Sequence, residues 1–359
     1  MIDNDVFVQK NGELCIYKNT GEFALELKKL GHEVELFQTK HVVKSDFHDF
    51  NVLDKGLKIT ALKRNKIKLL TYINAYLVGA FRIISNDFVY IYYPTNYEYL
   101  AFWTKLIGKS YGLNVRGERG TKSKKSLLLF KFSKVVFTVS PYFTSLAASV
   151  GAKAFTQKPA ISFNEKDIVR DRVFKSKSSY EVLFLARLDK DKGIFELIHS
   201  ISILSKLNYN ITLRIVGDGL EEARLKELVS LLNINRNVVF EGAVTDTKMI
   251  SKFYVESDIF ILPSHHEGFP RTLYEAMIFG TPILTTFVGG IPHLMKDGFN
   301  CFEIAPQSID SITEKLKYVL NNYDSVKSIV ENAFNTVEDI VHSHKPTHAM
   351  VLNDVLKNL

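Results

Sequence analysis

The residues whose types and spacing could do chemistry lie between positions 187 and 275. The segment Pro263-Ser264-His265-His266-Glu267-Gly268-Phe269-Pro270-Arg271-Thr272-Leu273-Tyr274-Glu275-Ala276-Met277 carries two carboxylates with seven residues between them. Proline suits the first turn of a helix, so Pro270 predicts a helix that Glu267 precedes and Glu275 enters. Glu275 then lies about 7–8 Å along the axis from Pro270 at 1.5 Å per residue. Its neighbours Ala276, Met277, Ile278 and Phe279 are apolar, and a carboxylate in such surroundings is seldom left unpaired. Its partner is either a ligand or, more plainly, water or a lysine on the helix face.

A second segment supplies the opposite charge. Arg187-Leu188-Asp189-Lys190-Asp191-Lys192-Gly193 follows a strand pattern and precedes a helix pattern. Arg187 and Lys192 thereby bring two cations to a helix N-terminus, a combination suited to a diphosphate. The plain alternative is a solvated charged loop. Gly217-Asp218-Gly219, with Glu241 at the end of the next strand, resembles half a dinucleotide fingerprint, but Glu222 stands where the third glycine belongs. A tight turn explains the pair equally well. Asp3-Asn4-Asp5 and Asp189-Lys190-Asp191 are poor metal candidates, the latter because of its lysines. His265-His266 beside Glu267 is the one histidine pair near these segments.

These loops need elements to hold them. Strand and helix patterns alternate from Val182: strands over 182–186, 211–216, 238–240, 259–262 and 282–285, helices over 194–207 and 220–232. Such alternation implies a parallel sheet covered on both faces, which binds ligands beyond the carboxyl ends of its strands. The N-terminal half opens with a hairpin signal, Val6-Phe7-Val8 and Leu14-Cys15-Ile16-Tyr17 around Asn11-Gly12. A helix over 20–30 stopped by Gly31, and strands over 33–37, 88–93 and 134–139, follow. The polar run 165–180 reads as a linker, and 309–359 as largely helical.

With 359 residues the chain is long enough for about two domains. Its composition, 46% hydrophobic and 24% charged, is that of a globular protein. Two isolated cysteines, Cys15 and Cys301, exclude a disulfide framework or a cysteine zinc site and suit a reducing compartment. Met1-Ile2 runs directly into Asp3-Asn4-Asp5, which does not read as a signal peptide. The apolar stretch 67–84 holds Lys68, Asn74 and Arg82, so a buried or interfacial helix is expected there rather than a membrane span. Charge is uneven. Residues 1–176 hold 28 basic and 16 acidic residues, whereas 177–359 hold 18 and 23. Within 55–134 there are 16 basic residues against Asp87, Glu98 and Glu118. That asymmetry points to an anionic partner for the N-terminal half: nucleic acid, anionic lipid or a phosphorylated substrate. A merely soluble basic surface is the alternative.

Residues 181–305 resemble the donor domain of GT-B glycosyltransferase family 4, the retaining glycosyl-group transferases. The resemblance rests on Ala186-Arg187-Leu188 with Lys192-Gly193, Val216-Gly217-Asp218-Gly219 and Val239-Phe240-Glu241-Gly242. It continues through 257–264, Glu267-Gly268-Phe269-Pro270 to Glu275-Ala276, Gly280-Thr281-Pro282-Ile283 and Gly289-Gly290-Ile291-Pro292. It implies that Arg187 and Lys192 neutralise a departing diphosphate. Glu267, with the backbone N–H groups of Gly268 and Phe269 beside Pro270, would hold the donor sugar. Glu275 would take the ribose hydroxyls, and Gly242, Ala243 and Val244 would line the base. Enzymes of this kind generally need no catalytic metal. His293 and Cys301 depart from the family pattern, in which Glu and Gly are usual. In the N-terminal half, Gly21-Glu22, Gly31-His32-Glu33-Val34 and Arg116-Gly117-Glu118 resemble the acceptor domain more loosely, and the usual first strand is not evident. Gly21, Arg116 and Glu118 are the acceptor-side candidates that follow.

The expected architecture is α/β and GT-B: two Rossmann-like domains with parallel sheets facing a cleft, and C-terminal helices crossing back. The acceptor domain is expected over 1–170, the donor domain over 178–335 and a helical tail on the N-domain over 336–359. The expected reaction is retaining transfer of a hexose-type sugar from a UDP- or GDP-type nucleotide diphosphate sugar. The acceptor would be a hydroxyl of a lipid-linked or polysaccharide intermediate in cell-surface polysaccharide biosynthesis, with no cofactor, metal or nucleic acid. A cytoplasmic place, peripheral on the inner membrane face, fits the basic and aromatic N-terminal half. A sugar-nucleotide epimerase on the same fold and a non-catalytic sugar-nucleotide-binding subunit are the alternatives.

Overall fold

A computed structural model of the chain describes residues 1–10, 13–40, 50–63, 66–117, 120–157, 161, 163, 165–341 and 346–359. It divides into two compact units, the first formed by Met1–Lys158 with Lys345–Leu359 and the second by Pro159–His344.

The first unit runs β1 (Ile2–Lys10), β2 (Glu13–Ile16), α1 (Lys18–Lys29), β3 (Glu35–Lys40), β4 (Phe50–Asn51), β5 (Lys58–Leu62) and α2 (Lys68–Ile84). It continues through β6 (Phe88–Tyr93), α3 (Tyr99–Leu106), β7 (Ser110–Val115), α4 (Lys124–Phe132), β8 (Val135–Thr138), α5 (Pro141–Ala148) and β9 (Ala154–Thr156). Strands β5, β3, β1, β6, β7, β8 and β9 pair in parallel in that order. The first strand, not evident in the sequence, is therefore present as β1 at the sheet's centre. What hides it is its far end, which turns antiparallel onto β2, with Val8 opposite Cys15 and Lys10 opposite Glu13. The Asn11-Gly12 turn itself lies outside the described residues. Alternation along β6 sends Val89, Ile91 and Tyr93 to a face covered by α2–α5, and Tyr90 and Tyr92 to the other, covered by α1.

The second unit runs β10 (Tyr180–Leu185), α6 (Ile194–Lys206), β11 (Ile211–Val216), α7 (Glu222–Leu231), β12 (Val238–Gly242), α8 (Thr247–Glu256) and β13 (Ile259–Leu262). Then come α9 (Arg271–Ile278), β14 (Ile283–Thr286), β15 (Phe302–Ile304), α10 (Ile309–Asn321) and α11 (Lys327–Val341). Its six strands are all parallel, in the order β12-β11-β10-β13-β14-β15. One continuous core includes Phe184, Phe260, Ile261, Met277 and Leu316, none more than 1% exposed.

The expected boundaries move. The run 165–180 is not a free linker. Val169 N–H donates to Ile278 O at 3.0 Å, and the Arg172 guanidinium caps the carbonyls of Tyr254, Ser257 and Phe279. These bonds tie the segment to the second unit, so the first ends near residue 158 rather than 170. Nor does the whole tail 336–359 pack on the first unit. Val337 is fully buried in the second unit's core and Thr336 Oγ1 accepts from Asn300 Nδ2, so α11 stays there. Only α12 (His348–Leu356) joins the first unit, where Leu352 and Val355 pack with Phe23 and Phe137. Among the described residues no helix is long and apolar enough to cross a membrane.

Candidate donor site at the switch point

In the second unit the strand order reverses between β10 and β13. The loops leaving the carboxyl ends of those two strands diverge to opposite sides, which is where parallel sheets of this type open a ligand crevice. They are the loops that carry Arg187–Gly193 and Pro263–Pro270.

The two loops are stitched together. Gly193, at φ +68°, lies so close to Pro263 that a Cβ would stand 2.0 Å from the Pro263 carbonyl oxygen. His265 N–H donates to Asp191 O at 2.8 Å. Lys192 Nζ donates to Glu267 Oε1 at 2.6 Å, with both side chains largely withdrawn from solvent (14% and 9% exposed). The fully buried Ser264 donates its hydroxyl to the same Oε1 at 2.7 Å. Thr286 Oγ1, from the end of β14, donates to Ser264 O at 2.6 Å. Glu267 is thus held through one oxygen, and among the described residues Oε2 has no protein hydrogen bond. The N–H groups of Gly268 and Phe269 likewise donate to nothing among the described residues. Gly268 is buried, and its carbonyl accepts from Gly290 N–H at 2.8 Å.

Arg187 sits at the rim, 63% exposed, with Nη1 3.0 Å from Asp189 Oδ2. Its loop rests on the glycine pair after β11. A Cβ on Gly217 would stand 2.0 Å from Ala186 O, and one on Gly219 2.5 Å from Leu188 O. The Gly217-Asp218-Gly219 turn is therefore a close-packing support for the cationic loop. Glu241 pairs with Arg214 rather than standing ready for a ribose.

Pro270 is the N-cap of α9, one position earlier than its expected place in the first turn. Glu275 lies within α9 and is 8% exposed. Tyr254 OH approaches its Oε2 at 3.0 Å and Thr272 O at 3.2 Å. Burial raises the carboxyl's pKa above its ordinary value, against the opposing pull of Arg271 and the Tyr254 hydrogen bond. Phe269 packs on Tyr274 with ring centroids 4.6 Å apart. Gly242, at φ +72°, ends β12, and Ala243 and Val244 follow, each half-buried at the same carboxyl edge.

The acceptor-side candidates are dispersed over the first unit. Gly21 is inside the first turn of α1, where a Cβ would meet the Phe50 ring at 2.3 Å; it is a packing glycine in this helix. Arg116 follows β7, its guanidinium 3.7 Å over the Tyr92 ring. Glu118 lies outside the described residues.

Sequence reading missed Ser264, Thr286 and Tyr254 as supports of the two glutamates. Serine and threonine at strand ends carry no distinctive pattern, and Tyr254 reaches Glu275 only through the packing of α8 on α9.

Residues 165–336 match the model of the family described as glycosyl transferases group 1. The chain is similar to an uncharacterised glycosyltransferase of Methanocaldococcus jannaschii, 33% identical over 48% of this chain and 44% of that one. It is also similar to the capsular polysaccharide biosynthesis glycosyltransferase CapM of Staphylococcus aureus, 31% identical over 45% of this chain and 42% of that one. The match thus spans less than half the length of these relatives. Among solved structures, Anabaena HepE in complex with UDP superimposes with a TM-score of 0.65 at 15% identity, covering 99% of this chain and 97% of that one. The lipopolysaccharide outer core galactosyltransferase WaaB does so with 0.65 at 16%, covering 99% and 98%. Residues 165–336 thus form a glycosyl transferases group 1 domain, and the chain has the GT-B fold of the solved glycosyltransferases on which it superimposes.

Proposed function

We propose that the chain transfers a hexose-type sugar from a nucleotide diphosphate sugar to a hydroxyl of a lipid-linked or polysaccharide acceptor, with retention at the anomeric carbon and without a metal. The observation that carries this reading is the Lys192–Glu267 pair across the switch point, beside two backbone N–H groups with no acceptor among the described residues. An incoming diphosphate draws Lys192 and Arg187 away from their carboxylates, and the freed Glu267 and the Gly268 and Phe269 N–H groups take the sugar hydroxyls. As the bond from the anomeric carbon to the diphosphate oxygen breaks, the two cations face the charge that develops there. Groups preorganised toward developing charge supply the largest catalytic contribution in most enzymes. The acceptor oxygen bonds to the anomeric carbon from the same face, and its proton leaves on the departing diphosphate. Glu275 holds the ribose, and Gly242–Val244 line the base. The names of similar proteins support the reading: HepE is described with UDP, and CapM with capsular polysaccharide biosynthesis. The basic first unit supports a peripheral place on an anionic membrane, where a lipid-linked acceptor resides.

Thermal unfolding with UDP-, GDP-, ADP- and CMP-sugars tests the donor. A ligand at about 100 times its dissociation constant stabilises by about 2.7 kcal/mol. Turnover should require an added acceptor and survive excess EDTA. Conversion of the donor without acceptor would favour an epimerase, and no stabilisation by any nucleotide sugar would end the reading.

A further inference from the structure

Helix α2 is built inside out. It turns small residues, Thr71, Ala75 and Gly79, toward the first unit together with Ile83, and all four are buried. The approach is close: a Cβ on Gly79 would stand 2.8 Å from Leu100 Cδ1. Its large apolar side chains point the other way. Leu70, Ile73, Leu77, Phe81 and Ile84 are all exposed, Leu77 at 68% and Phe81 at 72%. Their spacings of three and four residues put them on one stripe of the helix. Trp103 and Leu106 of the adjoining α3 are exposed as well. A globular helix places its large apolar face inward, so a stripe of this length on the outside marks an interaction surface.

The charges around the stripe decide the occupant. Lys63 and Lys66 ahead of the helix, Lys68 at its first position and Lys105 next to Leu106 are exposed, whereas Arg82, on the side of Thr71 and Gly79, pairs with Glu35 at 3.5 Å. Of the acidic residues over 55–134 that are described, Glu98 is paired with Lys125, leaving Asp87. A second copy of the chain would bring the same positive charge against this face. An apolar stripe with a lysine rim matches a helix lying in the plane of an anionic bilayer, apolar side down and ammonium groups among the headgroups. We propose that α2, through Leu70, Ile73, Leu77, Phe81 and Ile84, is the element that docks this chain on anionic lipid. The proposal rests on the peripheral reading above and sharpens it from a basic region to one helix face.

The test is co-sedimentation of the full chain with phosphatidylcholine vesicles and with mixed phosphatidylcholine–phosphatidylglycerol vesicles. The wild-type chain should pellet with the mixed vesicles and less so as salt rises. Leu77→Ser with Phe81→Ser should weaken that binding at least about tenfold, while Leu231→Ser, an exposed leucine of the second unit, leaves it unchanged. Both altered side chains are exposed, and an unchanged thermal transition confirms that the double variant is folded. If the wild type binds and the double variant binds equally well, the α2 assignment fails while peripheral association stands. If the wild type binds neither vesicle, both fail. A lipid-free wild-type dimer that the double variant abolishes would assign the stripe to a second copy and overturn the proposal.

Discussion

Both units hold crowded glycines, but different atoms crowd them. In the second unit, Gly193, Gly217 and Gly219 face the carbonyl oxygens of Pro263, Ala186 and Leu188. In the first, Gly21, Gly79 and Gly112 face the side chains of Phe50, Leu100 and Phe88, and the positive-φ glycines Gly31, Gly108, Gly120 and Gly151 face nothing within 4 Å. A side chain can rotate away, whereas a main-chain carbonyl moves only with its loop. At its switch point the second unit thus uses glycine to bring backbones together around a constellation of charges, while elsewhere in it Gly280 meets the Phe334 ring and Gly242 and Gly298 face nothing within 4 Å. The first uses it in helix and strand packing and in turns. Rigid positioning of this kind is what a site that must face developing charge requires.

The sharpest way to break this contrast is at Lys192. Lys192→Ala removes a cation from the proposed diphosphate site and leaves Glu267 nine-tenths buried without its ionic partner. Turnover should fall by about two to three orders of magnitude, or roughly 3–4 kcal/mol of barrier. Arg116→Ala in the first unit should cost far less if the chemistry resides at the switch point. Equal losses in steady-state rates would erase the distinction between the two units.

Next is the backbone itself. Gly193→Ala must separate the two loops, and about 3 kcal/mol of stability should be lost in thermal unfolding. Gly31→Ala, at φ +96° but in open space, should lose about 1 kcal/mol. Indistinguishable transitions would show that the carbonyl contact at Gly193 relaxes freely.

The units should also differ in acid. His348 of α12 is half-buried, stacked on Phe23 at 4.2 Å, with its Nε2 in a 2.5 Å hydrogen bond with Tyr90 OH. Burial, aided by the positive charge of Arg116, pulls its pKa down to about 3. The unfolded chain binds this proton near pH 6.5 and the folded one does not. Stability is therefore full above about pH 6.5 and lost as pH falls from there toward 3, by about 2 kcal/mol at pH 5. His348→Phe should flatten the slope of stability against pH over that window, whatever its effect at neutrality. An unchanged slope in urea titrations would refute the assignment.

The contrast also explains what could be read from the sequence. In the second unit β11 and β13 have the expected bounds, β10, β12 and β14 differ by two residues or fewer at each end, and β15 was not expected. Strands buried on both faces read as plain apolar runs. In the first unit α3, β7 and α4 were not legible. Ser110-Tyr111-Gly112-Leu113-Asn114-Val115 places a glycine and an asparagine inside a strand, tolerated because Phe88 and Val135 fill the space above Gly112 and Gln157 donates to Asn114. Helix α2 was visible as a helix, but a segment apolar on every side does not disclose which face is out. At the site, the charged residues announced themselves. The Lys192–Glu267 pairing did not, because it depends on how two loops 75 positions apart meet at the reversal of strand order.

The smallest effect expected is at Glu275, and it separates a residue kept for binding from one kept for folding. A carboxylate at 8% exposure is costly to bury, and its raised pKa shows that Tyr254 and Arg271 do not fully offset that burial. The sign follows directly. A folded-state pKa above the unfolded one means that the folded chain holds this proton longer. Stability attached to Glu275 is therefore present in acid and declines as pH rises past the ordinary carboxylate range. Glu275→Gln keeps the shape and an acceptor for Tyr254 OH while removing the charge. Its stability at neutral pH should stay within about 1 kcal/mol of the wild type, on the stabilising side where it departs, and the difference should shrink in acid. A group that touches the ribose, away from the bond being broken, contributes binding of similar strength in ground and transition states. KM for the donor should therefore rise about tenfold with kcat little changed, the reverse of Glu267→Gln, in which kcat should fall first. Donor-saturation kinetics beside urea titrations of the same samples read both quantities. A Glu275→Gln chain that loses several kcal/mol of stability with an unaltered KM would make Glu275 a structural anchor of α9, and the donor site would then have to be drawn without it.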